Sequence, residues 1–319
     1  HEWQAYTDTL NAINLTDTNT YRQYTLQYNY HTKFAKNIIE VGHVSAGGTS
    51  RDAALLNVTA RHETKLNDSW NILARGTFWQ GKLYGAGQFI WSSKNNKFPI
   101  QWSTGSFYRL PTMNELYWNP GGNLELAPER SYGSKMSALY RQNDLKISLT
   151  TDQLIFNNLI QWTPLSGGIW SPVNLERAYT SSSTLLLQLV KGNVNNEVSA
   201  THQYSRVLVS SNASSLGKQL IYRPSFQIVH TIDGQLLKGR LQLRSHAMGR
   251  RHTLRDNANA GILNPEFWMD LAYSYSFLSG RVQMTGRVHN LTNTNKTFIP
   301  YYPMPGRHYS INIKLNSKK

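Results

Sequence analysis

Alternation of period two runs through almost the whole chain, and an extended strand is the backbone geometry that turns such alternation into two unlike faces. In 267–277 the odd positions are Phe267, Met269, Leu271, Tyr273, Tyr275 and Phe277, and the even ones are Trp268, Asp270, Ala272, Ser274 and Ser276. The next segment sets Val282, Met284, Gly286 and Val288 against Arg281, Gln283, Thr285, Arg287 and His289. Upstream, Leu237, Gly239, Leu241 and Leu243 oppose Lys238, Arg240, Gln242, Arg244 and His246, and at the end Tyr309, Ile311, Ile313 and Leu315 oppose His308, Ser310, Asn312 and Lys314. Helical periodicity is nearly absent.

About fifteen segments of this kind follow one another, near 21–31, 37–46, 53–65, 69–80, 82–92, 98–109, 129–142, 144–156, 181–191, 194–207, 220–232, 235–247, 265–277, 280–290 and 307–316. Many reach the 9–11 or so residues that a tilted strand needs to cross a bilayer, against roughly 5–6 for an average soluble strand. The connections alternate in size. Short turns are expected at Lys33–Lys36, Leu66–Ser69, Ser93–Lys97, Asn143–Asp144, Gly192–Asn193, Asp233–Gly234 and Ser279–Gly280, with longer or Gly-rich links at 46–52, 110–128, 157–180, 208–219, 248–264 and 291–306. Only the link at 80–82 breaks the size rule. Short turns on one side and long loops on the other are the pattern of an all-β, antiparallel transmembrane β-barrel of the outer-membrane kind. A soluble sandwich or propeller would have to hide the greasy face on a second sheet and tends to use shorter strands.

Composition narrows the function classes. The 319 residues include 33 Lys or Arg and 18 Asp or Glu, a net charge of +15, and no Cys. Disulfide frameworks and thiolate zinc sites are therefore excluded. The basic charges are spread along the chain rather than blocked, which argues against nucleic acid as a partner. No run of about 18 apolar residues is present for a membrane helix. Neither a hydrolase elbow, a phosphate loop nor a zincin motif occurs, so no catalytic residues, metal ligands or cofactor are expected in this chain, and it does not read as an enzyme.

Four stretches stand apart from the alternation: SFYRLPTMNELYWNPGGNLELAPERSY at 106–132, QLIFNNLIQWTPLSGGIWSPVNLERA from 153, QLIYRP at 219–224 and VHNLTNTNKTFIPYYPMPGRHYSINIKL at 288–315. Pro111 and Pro128 bracket a loop, because proline cannot donate to a ladder, and Gly121 and Gly122 supply backbone freedom inside it. Asn290, Pro305 and Gly306 similarly end and restart strands. These residues read as mainly architectural. In order and spacing the four stretches resemble the C-terminal two-thirds of the barrel of TonB-dependent outer-membrane receptors, in the branch that contains the cobalamin receptors.

That resemblance implies a barrel of about 22 strands closed around an N-terminal plug and driven by contact with TonB. Residues 1–319 would then be the C-terminal part of the barrel, without the plug domain and about the first seven strands, and residues 1–20 would belong to an outer loop. The partners expected are the plug and the remaining strands, either as a separate polypeptide or as an omitted N-terminal part, TonB through the plug, lipopolysaccharide, and a surface lipoprotein. The function implied is import of a scarce large nutrient, cobalamin or a related corrinoid, across the outer membrane of a Gram-negative bacterium. The alternatives are a siderophore or haem receptor, or a non-transporting barrel scaffold in an envelope complex. Haem receptors of the family place a His between the motifs corresponding to 109–111 and 119–124, and 112–123 contains none.

Candidate substrate contacts lie in the long loops. Trp118, Trp170, Tyr301 and Tyr302 offer flat surfaces on which a large ring system can stack. Trp162, nearer a strand end, fits the aromatic girdle. Arg250, Arg251 and His252, with Arg255, form a basic cluster suited to phosphates or to an anionic substrate. The basic residues opposite the greasy rows, among them Lys146, Arg240, Arg287 and Lys314, should line the lumen and meet acidic groups of a plug.

Overall fold

The structure, a computed structural model, describes residues 2–8, 13–32, 35–48, 53–79, 82–93, 97–164, 169–300 and 302–315. Its strands are β1 (Glu2–Asp8), β2 (Ile13–His31), β3 (Ala35–Gly48), β4 (Ala53–Lys65), β5 (Trp70–Trp79), β6 (Lys82–Ser92), β7 (Pro99–Arg109), β8 (Glu129–Gln142), β9 (Leu145–Pro164), β10 (Trp170–Lys191), β11 (Val194–Val209), β12 (Phe226–Leu236), β13 (Gly239–Met248), β14 (Arg251–His252), β15 (Ile262–Leu263), β16 (Glu266–Phe277), β17 (Val282–His289), β18 (Thr297–Ile299), β19 (Tyr302–Pro303) and β20 (His308–Leu315), with one short helix, α1 (Met113–Tyr117). One sheet of sixteen strands takes β1 to β13, then β16, β17 and β20, in chain order. The pairs β14–β15 and β18–β19 stand outside it, in the two last long connections.

The fifteen expected strands are all present, as β2–β13, β16, β17 and β20. Four boundaries differ, one being the strand expected from 220, which starts only at Phe226 because Leu220 and Ile221 are buried in the connection before it. Residues 1–20, expected as loop, supply β1 and the start of β2, which pair from Glu2↔Asn19 to Asp8↔Ile13. The link expected at 157–180 shrinks because β9 continues to Pro164 and β10 starts at Trp170. In both cases the strand outruns the greasy row, because the ladder needs only backbone donors and acceptors. The turn expected at Asp233–Gly234 lies instead at Leu237–Lys238, with Gly234 paired to Leu241 and Asp233 held by Arg240. Leu237 takes φ 53° there, a conformation Asn or Gly adopts more cheaply. Asn143 and Gly192 occupy the same left-handed region in the two-residue turns β8–β9 and β10–β11, where sequence and geometry agree.

Contacts divide the chain into two compact units, one of residues 1–91, 102–133 and 158–174, the other of 92–101, 134–157 and 175–319. In the second, register keeps the two faces pure. Leu241↔Tyr273, Tyr273↔Gly286 and Gly286↔Ile311 form one row, and Gln242↔Ala272, Ala272↔Arg287 and Arg287↔Ser310 the row beside it. In the first unit Tyr28↔Ile39 and Leu26↔Val41 stand on the greasy face and are exposed, as are Phe78 and Leu83 on β5 and β6.

Tyr309, Ile311, Ile313 and Leu315 are between 62% and 75% exposed. Each such side chain is worth about 1.5–3 kcal/mol if removed from water. Among the described residues the buried apolar side chains are Leu126, Ile160, Leu175, Ala178, Val207, Leu220, Ile221 and Trp268, all at the long-connection end of the strands. Among the described residues the rows along the strands have no second protein layer, which suits them to acyl chains. The opposite face carries hydroxyl, amide and charged groups that pair with one another, as Ser274 with Thr285 at 2.9 Å and Gln188 Nε2 with Asn195 Oδ1 at 3.1 Å.

Candidate functional site

The sheet's alternation places every long connection at one end, and those connections hold the structure's real cores. In the first unit the loop 110–128 is organised around Arg109. Its guanidinium donates in a fork to Glu115, at 2.8 and 3.1 Å, and through Nε to Glu129. The helix α1 starts at Thr112 with a reciprocal cap: Glu115 N donates to Thr112 Oγ1 at 3.2 Å, and Thr112 N to Glu115 Oε2 at 2.7 Å. The second oxygen of Glu129 accepts from Ile160 N at 2.7 Å. Asn174 clamps Ala127 from both sides, accepting from its amide at 2.8 Å and donating to its carbonyl at 3.0 Å. Burial opposes ionisation of Glu115, but the Arg109 guanidinium and the Thr112 amide prevail and hold its carboxyl below the ordinary carboxylate value.

Gly121 and Gly122 bring two of the candidate tryptophans to this framework. A Cβ on Gly121 would stand 1.8 Å from the Trp170 carbonyl oxygen, and one on Gly122 would stand 2.6 Å from the Leu116 carbonyl and 2.7 Å from the Trp118 amide. Only glycine allows the loop to lie this close. Trp118 is exposed and Trp170 half-buried, so the framework presents at least one broad aromatic face.

In the second unit two connections, 210–225 and 249–265, are laced together. Lys218 O accepts from Val207 N at 3.0 Å, Tyr222 N donates to His252 O at 2.8 Å, and Asn257 bonds both the amide and the carbonyl of Gln219, at 2.7 and 3.0 Å. Leu220, Ile221 and Ser215 form the buried centre of 210–225. The last connection is pinned by Asn290, fully buried, which accepts from Thr294 N at 3.0 Å and donates to Thr294 O at 2.8 Å while its own amide reaches Asp270. Arg307 closes it by donating twice to Leu291 O, at 3.1 and 2.7 Å.

The structure separates the three neighbours of the basic cluster. Arg250 is exposed. Arg251 is 3% exposed, turned onto Glu266 at 3.3 Å with Phe298 beneath it at 5.9 Å, so its charge is spent on holding β14 against β16 and β18. His252 lies between, and burial first, then the charges of Arg250, Arg206 and Lys218, push its pKa below the usual imidazole value and leave the ring neutral at pH 7. Tyr302 is exposed in β19, and Tyr301 lies outside the described residues. Among the described residues no group of three metal-ligating side chains occurs. Arg206 and Lys218 are the contributors the sequence did not flag: the signal was an Arg two residues after Tyr204 at the long-connection end of β11.

No family model matches the chain. It is 26% identical over 218 residues to the vitamin B12 transporter BtuB of Photobacterium profundum, a match covering 67% of this chain and 34% of that protein. It is 30% identical over 99 residues to BtuB of Vibrio vulnificus, covering 31% and 16%. The chain thus spans about a third of the first of these relatives. Among solved structures, the fold matches the ferric enterobactin receptor PfeA of Pseudomonas aeruginosa with a TM-score of 0.73 at 15% identity, over 96% of this chain and 55% of that one. It matches the siderophore receptor PirA of Acinetobacter baumannii with 0.75 at 13%, over 95% and 55%, and the copper transporter OprC with 0.74 at 12%, over 95% and 59%.

Proposed function

Taking as premise that this chain is a BtuB-like TonB-dependent receptor barrel of the Gram-negative outer membrane, we propose that it forms most of the wall and the outer mouth of an importer for cobalamin or a related corrinoid. The observation behind this reading is the sequence likeness to a vitamin B12 transporter over 218 residues, which includes more of the chain than the shared strands of one hairpin would need. The likeness to siderophore and copper receptors supports the fold, because at 12–16% identity the wall is what is common. In this reading the plug and the contact with TonB come from outside residues 1–319. The chain works as conduit, not as enzyme: its relatives are transport proteins, and its rigid loops capture ligand above a polar lumen.

Trp118 and Trp170, both in the first unit, supply the aromatic surface for the corrin ring, and Tyr301 and Tyr302 on the last connection and Arg250 and His252 on the connection between β13 and β16 are separate candidate contacts of the second unit. Arg251 acts by holding that loop. The test is equilibrium binding of cyanocobalamin and of ferric enterobactin to the intact receptor in detergent. Cobalamin should bind, and Trp118→Ala should weaken it about tenfold, about 1.4 kcal/mol. Binding of the ferric siderophore with no binding of cobalamin would move the assignment to iron uptake. Binding of neither would favour a scaffold role alongside a surface lipoprotein.

A further inference from the structure

His289 and His308 stand directly opposite each other on β17 and β20. Their rings are stacked, with 4.6 Å between centroids and 13° between planes, on the polar face that also carries Arg287 and Ser310. The network that closes the last connection pins both backbones. Asn290, the residue after His289, is fully buried, and its amide donates to Asp270 Oδ1 at 2.8 Å. Arg307, the residue before His308, donates twice from its guanidinium to Leu291 O and from its amide to Asn293 Oδ1 at 2.9 Å. The spacing of the pair is thus set by groups that belong to neither ring.

The ring nitrogens are set as well. His308 Nδ1 lies 3.0 Å from Gly306 O, which can only accept, so Nδ1 carries the proton and Nε2 of the neutral ring keeps its lone pair. A backbone carbonyl on the other ring nitrogen is the support that metal-ligating imidazoles generally have. His289 Nε2 meets the Ser310 hydroxyl at 3.1 Å, a neutral group that an ion can displace. A divalent ion bonded to imidazole nitrogen at about 2.0–2.1 Å spans up to about 4 Å between two nitrogens, so stacked rings at this separation need only tilt to grip one.

We propose that His289 and His308 form a two-histidine site for a late first-row divalent ion, with Cu2+ held most tightly and Ni2+ and Zn2+ less so. Among the described residues no third metal-ligating side chain completes the set, so the remaining positions are open, the ion is exchangeable, and its structural effect is to clip β20 to β17. The Asp270 carboxylate, bonded to Asn290 N next door, offsets part of the charge that the ion brings. Mg2+ and Ca2+, which take oxygen ligands, are not accepted. The site goes beyond the import reading and does not depend on which substrate is carried.

The experiment titrates Cu2+ into the intact, tag-free receptor in detergent and records the EPR spectrum at one equivalent. The first equivalent should show superhyperfine structure from two imidazole nitrogens, should survive about a hundredfold excess of Mg2+, and should bind at least about tenfold more tightly than in His289→Gln or His308→Gln. Ser310→Ala, which removes a hydroxyl and no ligand, should bind at least as tightly as the wild type. Bound Cu2+ should also slow hydrogen exchange of the β20 amides in the wild type and leave it unchanged in His308→Gln. An affinity that neither histidine variant lowers, a first equivalent without imidazole nitrogen in its spectrum, or displacement by Mg2+ would overturn the site.

Discussion

Arg109 decides the conformation of the 110–128 loop, because two carboxylates from different elements converge on one guanidinium. Arg109→Leu leaves Glu115 and Glu129 facing each other, each about one-tenth exposed at the side chain. Breaking a fully buried pair costs about 3–5 kcal/mol, and with Arg109 itself 41% exposed the expected loss is about 2 kcal/mol of local stability. Limited proteolysis of the loop should accelerate about thirtyfold. The same network has an acid limit. Glu115 has its pKa lowered in the fold, so its contribution is complete above the ordinary carboxylate value of about 4.3 and is lost as the pH falls through the folded value. Protease sensitivity of 110–128 should rise below about pH 4 and stay flat above it, and in Glu115→Gln the acid-dependent rise should shrink. At Gly121, alanine would drive a methyl into the Trp170 backbone, and the receptor's aromatic face should be lost together with ligand binding while the wall stays folded.

For the strands, the claim with most consequence is that one row meets lipid and the next meets water. Leu243 and Gln242 are neighbours on β13, Leu243 between Ile232 and Leu271, Gln242 between Asp233 and Ala272. Leu243→Lys should cost about 2–4 kcal/mol in denaturant unfolding from a bilayer, and Gln242→Lys under about 0.5. Equal costs would mean the faces are misassigned. The strands and their faces were legible in the sequence because alternation is a local property that the ladder preserves. The ends were not, since β1 and the outer parts of β9 and β10 hold together by backbone bonds that polar residues make as well as apolar ones. Asp233–Gly234 misled for a different reason: it has turn composition, yet Asp233 serves as the partner of Arg240 across the hairpin. Within the loops the brackets were readable as architecture, since Pro111, Asn290 and Gly306 act on the backbone. The inward turn of Arg251 was not, because its partner Glu266 is fifteen residues away and belongs to the following strand.

Among the described residues, the strands turn an oily face one way and a polar face the other, and the buried apolar side chains lie where the connections leave the sheet. The absence of cysteine makes this directly measurable. Single cysteines at Leu26, Leu243 or Ile311 should react with a lipid-soluble maleimide and resist a charged one, and those at Gln242 or Asn312 should show the opposite. The 210–225 connection has a practical corollary. With Leu220 and Ile221 at its heart and Asn257 gripping it from the neighbouring loop, it behaves as half of a two-piece cassette. Transplanting it alone onto another scaffold would expose its greasy heart, so anyone regrafting the mouth of this protein has to move 249–265 with it.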